Sequence, residues 1–145
     1  MLEVMEYTLS KIDAATGQLD WAIRLFLDKK AYVPAITLAG AAEGIIGETL
    51  GEKSVFLQVK STLCTELNMP SATVSQLHMN KAKNWLKHWK GLKDNQTISI
   101  DLEGEAIQYI VRAITNLVLH DNSLPSEGPR FFEWLSINHP ELYVV

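Results

Sequence analysis

Only one cysteine, Cys64, occurs in the chain. An internal disulfide is therefore excluded, and whatever holds the fold must come from packing and hydrogen bonds. No run of uncharged residues is long enough to span a bilayer: Ala31 to Ala42 is short and interrupted by Pro34 and Gly40, and Leu67 to Asn80 is polar and contains Pro70. The opening MLEVMEY is acidic and lacks the basic-then-apolar pattern of a secretory signal, so a cytoplasmic location is expected. A positive net charge is lacking too. Thirteen Lys and Arg face 17 Asp and Glu, a balance of -4 that argues against nucleic-acid binding driven by overall charge. No glycine-rich phosphate loop follows a strand-like run, and the four histidines, His78, His88, His120 and His139, show no metal-ligand spacing. Neither a metal nor a cofactor is expected. Repeats, low-complexity tracts and domain linkers are missing as well.

What is present is a helical pattern. At 145 residues, 47% hydrophobic and 21% charged, the chain has the size and composition of one globular domain with a real core. From Tyr7 to about Lys29 the residues Leu9, Ile12, Ala15, Leu19, Ala22, Ile23 and Phe26 recur every three or four positions, the period of an amphipathic helix. A second helix is expected from Pro34, suited to a first turn, to near Gly51, suited to a left-handed stop. Its run AITLAGAAEGIIGETL is rich in Ala and Gly. Small residues let neighbouring helices approach closely, so this helix should be central.

A third helix is expected from Val55 to Leu67, closed by Asn68 and Pro70, with Cys64 on it as a buried inert thiol. A fourth should run from Ser71 to about Trp89, followed by a polar turn from Gly91 to Gln96 and a short extended piece from Thr97 to Ile100. Asp101 can cap a fifth helix, Leu102 to His120, whose apolar residues cover most of its circumference. Its narrow polar stripe is Gln108, Arg112, Asn116 and His120. A last short helix, Arg130 to Asn138, carries FFEW as an exposed aromatic tail and is ended by Pro140. The fold expected over residues 1–145 is thus a single all-α bundle of five or six helices, the second and fifth central.

Two places carry chemistry. Glu43 is a carboxylate among small apolar neighbours, and a buried carboxylate must be paired or protonated. It is either a structural acid bonded to a helix end or an Arg, or a site residue. The denser place is Asn80 to Lys90, NKAKNWLKHWK, with two Trp, four Lys and two Asn in one stretch. At 100° per residue Ala82, Trp85, Leu86 and Trp89 share an apolar arc, with Lys83, Lys87 and Lys90 along its edge. Asn84 and His88, four apart, are neighbours on the helix surface. A His moves protons near neutral pH, a Lys stabilises phosphate charge and an Asn orients either. Together they can cleave RNA through its own 2′-hydroxyl without a metal. The plain alternative is a solvated basic face over a Trp-anchored helix.

The hexamer KNWLKH, Lys83 to His88, resembles the signature of the HEPN superfamily of small helical bundles, common in bacterial toxin–antitoxin, phage-defence and RNA-processing systems. That signature is an Arg, a polar residue that is often Asn, and a His four to six residues after the Arg. Asn84 and His88 match, and Lys83 stands where the family has Arg. The run around Glu43 is similar to the helix packed beside the motif helix in such bundles. The resemblance implies a cytoplasmic stress or defence protein, a homodimer that pairs two motif helices, and binding of RNA or nucleotide. In active members it implies a metal-independent endoribonuclease. Lys83, Asn84 and His88 would be the catalytic set, with Lys87, Arg112 and Glu43 in substrate binding. Arg112 would either lend its guanidinium to the site or pair with Glu43. Lys in place of Arg exchanges a planar fork for a point charge, which touches catalysis more than fold. The rival class is a non-catalytic module, an adaptor or antitoxin-type partner, in which the same face contacts a protein; the features that favour it are FFEW and the terminal ELYVV.

Overall fold

Among the described residues the bundle has seven α-helical segments: α1 (Lys11–Lys29), α2 (Tyr32–Glu48), α3 (Val55–Leu67), α4 (Ser71–Val74), α5 (Lys81–Lys87), α6 (Leu102–Asp121) and α7 (Gly128–Asn138). The computed structural model describes residues 2–74, 79–88 and 97–142. No strand occurs among the described residues, and none of the helices is long and apolar enough to cross a membrane. The all-α bundle expected from periodicity is the observed one.

Local chemistry sets most helix ends. The Ser10 hydroxyl accepts from the Asp13 N–H at 3.0 Å, so α1 begins at Lys11 and not at Tyr7. Ser54 caps α3 and Asp101 caps α6 in the same way. Lys30, Asn68 and Asn122 close α1, α3 and α6 in the left-handed conformation. Gly51 is left-handed as well, in the turn that follows α2.

α2 lies along both α1 and α6 and is the axis of the molecule. Its small residues permit this. Ala35, Ala39, Gly40 and Ala42 are buried, and Leu19, Ile23, Ile36, Ile46, Ile110, Ile114 and Leu117 close around them. Each large aliphatic side chain buried this way contributes about 1.5–3 kcal/mol. A β-carbon built on Gly40 would come 2.8 Å from Lys83 Cδ, so the lysine stem lies directly on this glycine. Cys64 on α3 is half-buried.

Two further expectations require correction. The helix expected from Ser71 to Trp89 is broken. α4 is described over Ser71–Val74 and α5 starts at Lys81, and the interruption lies at Asn80, which has non-helical angles (φ -118°, ψ 15°). The Met79 carbonyl is occupied by two side chains of α6, the Tyr109 hydroxyl and the Arg112 guanidinium. Trp89, Lys90 and the turn expected at 91–96 lie outside the described residues, as does His78, and 97–100 are neither helix nor strand.

The second correction concerns FFEW, which is not an exposed tail. Phe131 is fully buried and Phe132 and Trp134 are half-buried. Phe131 and Trp134 both set an edge against Phe26 of α1, with centroids 5.8 and 4.9 Å away. Of ELYVV, Glu141 and Leu142 are exposed, and 143–145 lie outside the described residues.

His139 fastens the chain after α7 to the start of α6. Its Nε2 lies 2.9 Å from Glu103 and its Nδ1 3.1 Å from Glu141. The hydrogen bond to Glu103, then that to Glu141, raises the imidazole pKa above its usual 6.5. A raised folded pKa means stability that is complete below the unfolded value and is lost as pH rises through the folded one. Urea midpoints should therefore fall as pH rises above 6.5, and His139→Gln should remove that slope. An NMR titration placing the ring at or below 6.5 would contradict it.

Candidate phosphate-binding site on α5

The site is built on the contact of α5 with α2 and α6. Tyr109 of α6 is fully buried, and its hydroxyl donates to the Met79 carbonyl at 2.9 Å. The same oxygen accepts from the Lys83 N–H at 3.3 Å. One phenol thereby holds the chain on both sides of Asn80 and fixes where α5 begins. Burial raises the Tyr109 pKa, so the hydroxyl keeps its proton for this bond.

Beside it runs a buried ion pair. Arg112 Nη2 lies 3.2 Å from Glu43 Oε2, with side-chain exposures of only 8% and 3%. The guanidinium also donates to the Met79 carbonyl at 3.3 Å and to Asn80 Oδ1 at 3.4 Å. It lies against the Tyr109 and Phe56 rings, 4.6 and 5.7 Å from their centroids. Asn116, fully buried, completes the frame: its Nδ2 donates to the Glu43 carbonyl at 3.4 Å and its Oδ1 accepts from the Val55 N–H at 2.9 Å. The polar stripe of α6 thus ties α2, α3 and α5 together. Of the two roles open to Glu43 and Arg112, the structure shows the mutual pairing.

Lys83 enters from the opposite side. Its stem crosses Gly40, and its ammonium lies 3.7 Å from where a Gly44 β-carbon would be. It lines a cavity of about 270 Å³ shared with Glu43, Gly47, Ser54, Phe56 and Asn80, with Glu48 also on its wall. Burial lowers the Lys83 pKa. Glu43 pulls it back up, while Lys87 and Arg112 push it down by repulsion. Lys87 stands one turn after Lys83, so the two side chains leave the same edge of the helix, one into the cavity and one toward solvent.

The other motif residues turn outward. Asn84, Lys87 and His88 are exposed. His88 is the first residue past the helix, extended (φ -128°, ψ 143°), its N–H donating to the Asn84 carbonyl at 3.2 Å. The six residues singled out in the sequence therefore form two groups. Glu43, Arg112 and the Lys83 side chain are inside, while Asn84, Lys87 and His88 are at the surface. Lys83, whose backbone is in α5 and whose ammonium is in the cavity, connects them. Tyr109 was not singled out, although its place three residues before Arg112 puts both on one helix face. Among the described residues no three His, Cys, Asp or Glu side chains are grouped as metal ligands.

No protein-family model, curated protein or solved structure matches this chain.

Proposed function

We propose that the chain is a HEPN-like stress or defence protein that binds RNA or a nucleotide through phosphate contacts on α5. The observation that carries this is the placement of Lys83 and Lys87 one turn apart on α5, with the Lys83 ammonium in an open cavity whose one buried carboxylate, Glu43, is paired with Arg112. A phosphate set against Lys83 and Lys87 supplies the counter-charge that these two lysines lack. The exposed Asn84 follows Lys83 directly, and the exposed His88 follows Lys87 at the end of the same short helix. In a metal-independent cleavage His88 takes the 2′-hydroxyl proton and the 2′-oxygen attacks the adjacent phosphorus. The 5′-oxygen leaves and takes a proton from water, giving a 2′,3′-cyclic phosphate and a 5′-hydroxyl end. Lys83 and Lys87 bear the charge that builds on the phosphate, and Asn84 orients it. A homodimer that places two copies of α5 together belongs to this proposal.

The test is RNA binding and cleavage in chelator, comparing the wild type with Lys87→Ala and His88→Ala. Both residues are exposed, so both variants should keep the fold. Binding should weaken steeply with salt, and Lys87→Ala should flatten the log–log slope by about 0.7–1 for the lost phosphate contact. His88→Ala should abolish any cleavage while leaving binding within a few-fold. RNA affinity indifferent to salt and to both substitutions would refute the phosphate site. It would favour the interaction-module class, whose apolar contacts are far less salt-sensitive.

A further inference from the structure

The cavity beside α5 holds polar groups that a phosphate does not use. Its space, about 270 Å³, exists because Gly44 and Gly47 bring no side chains to the α2 wall, and Phe56 faces it from α3. The Glu43 side chain is 3% exposed, and its Oε2 is the oxygen that pairs with Arg112. Its Oε1 has no hydrogen-bond partner among the described residues. That oxygen is not sealed in the core, so it opens into the cavity that Glu43 lines. Glu48, further along α2, lines the same cavity and makes no ion pair among the described residues. Lys83 brings its ammonium, likewise without an ion pair among the described residues. A buried carboxylate oxygen without a donor is unfavourable, so a ligand that donates to it is drawn in.

The charges select that ligand. Two carboxylates repel a bare anion inside the cavity. They complement a neutral, planar edge with two donors beside one acceptor, the acceptor meeting Lys83. Among the nucleobases guanine has that edge: O6 accepts, while N1–H and the 2-amino group donate. Adenine and cytosine offer one amino donor, and uracil a single N–H between two carbonyls. We propose that this cavity holds a guanine base, with Lys83 donating to O6 and with Glu43 Oε1 and Glu48 accepting from N1–H and the 2-amino group. The volume lies just below the range of about 300–1,000 Å³ usual for drug-sized ligands, so it takes one base and leaves the sugar and phosphate outside. An ammonium has three N–H donors, so Lys83 bonds the base from within and keeps a donor for a phosphate on the side of Lys87. The guanine site deepens the α5 reading and rests on it for the phosphate, while the base contacts stand on the cavity.

The experiment is calorimetric titration of the protein with the 5′-monophosphates of guanosine, adenosine, cytidine and uridine, and with guanosine itself. Glu48→Ala removes one acceptor and Gly44→Leu fills the cavity. Both variants should keep the fold by circular dichroism, because Glu48 is exposed and a β-carbon at Gly44 meets nothing nearer than the Lys83 ammonium at 3.7 Å. The wild type should prefer the guanine nucleotide by about ten-fold or more. Glu48→Ala should cut that preference to a few-fold, and Gly44→Leu should abolish it. Lys87→Ala should weaken all four nucleotides alike and leave their ratio unchanged. No binding, equal affinity for the four, or a preference that survives both cavity substitutions would overturn the guanine site. Equal affinities that still fall with salt and with Lys87→Ala would leave the α5 phosphate reading standing alone. Guanosine bound as well as its monophosphate, with no effect of salt or Lys87→Ala, would refute the phosphate contacts and keep the base site.

Discussion

Arg112→Ala should cost about 3–5 kcal/mol of stability, because it strands Glu43 as a buried charge without its partner. It also removes a donor from the Met79 carbonyl and from Asn80, where the chain turns into α5. The vacated space lies against the Tyr109 and Phe56 rings, so a packing loss adds to the electrostatic one. For a domain of this size the melting temperature should drop by about 10–15 °C. The informative control is the double replacement Glu43→Leu with Arg112→Met. It leaves no stranded charge and should recover most of the loss. Urea unfolding of the three variants checks both statements. A loss under about 1 kcal/mol for Arg112→Ala would mean that the pair behaves like a solvated surface ion pair. The pair's burial between α2 and α6 would then be untrue of the protein in solution.

The same residues show where sequence was sufficient and where it was not. α3 was legible to the residue, since the signals that bound it, Ser54 before and Asn68 after, are adjacent to it in the sequence. The central place of α2 was legible because its small residues have few other uses. A carboxylate among them demanded a partner, and Arg112 was a candidate on the opposing stripe. The break before α5 was not legible. Nothing within four residues of Met79 announces it, because the groups that take its carbonyl come from Tyr109 and Arg112, far along the chain. The inward turn of the Lys83 side chain was hidden for the same reason: the groove that admits its stem is made by Gly40 on another helix. At the start of α1 two local signals competed. Tyr7 and Leu9 extend the apolar period, but the Ser10 cap begins the helix later and leaves them in solvent. FFEW was misjudged because a short apolar run near a chain end looks the same whether or not a core faces it.

Phe131→Ala should cost about 3–5 kcal/mol as well, through a cavity and not a charge. The ring is fully buried and sits in an aromatic cluster, 5.8 Å from Phe26 across an edge-to-face angle of 70° and 6.3 Å from Trp134 in a stacked arrangement. Its loss removes apolar burial and also the ring–ring term, which a double-mutant cycle with Phe26→Leu should measure at about 0.5–1.5 kcal/mol. Near-ultraviolet dichroism from Trp134 should weaken in step, since that indole leans on both rings. Ile137, exposed on the same helix, gives the contrast: Ile137→Ala should stay within about 0.5 kcal/mol of wild type. The consequence reaches past stability. Phe132 and Leu135, on the same helix, wall an apolar cleft of about 650 Å³ between α3, α6 and α7, so an α7 loosened by Phe131→Ala should also disturb the cleft. A Phe131→Ala variant as stable as wild type would return FFEW to the surface, and the cleft would lose the wall that makes it one.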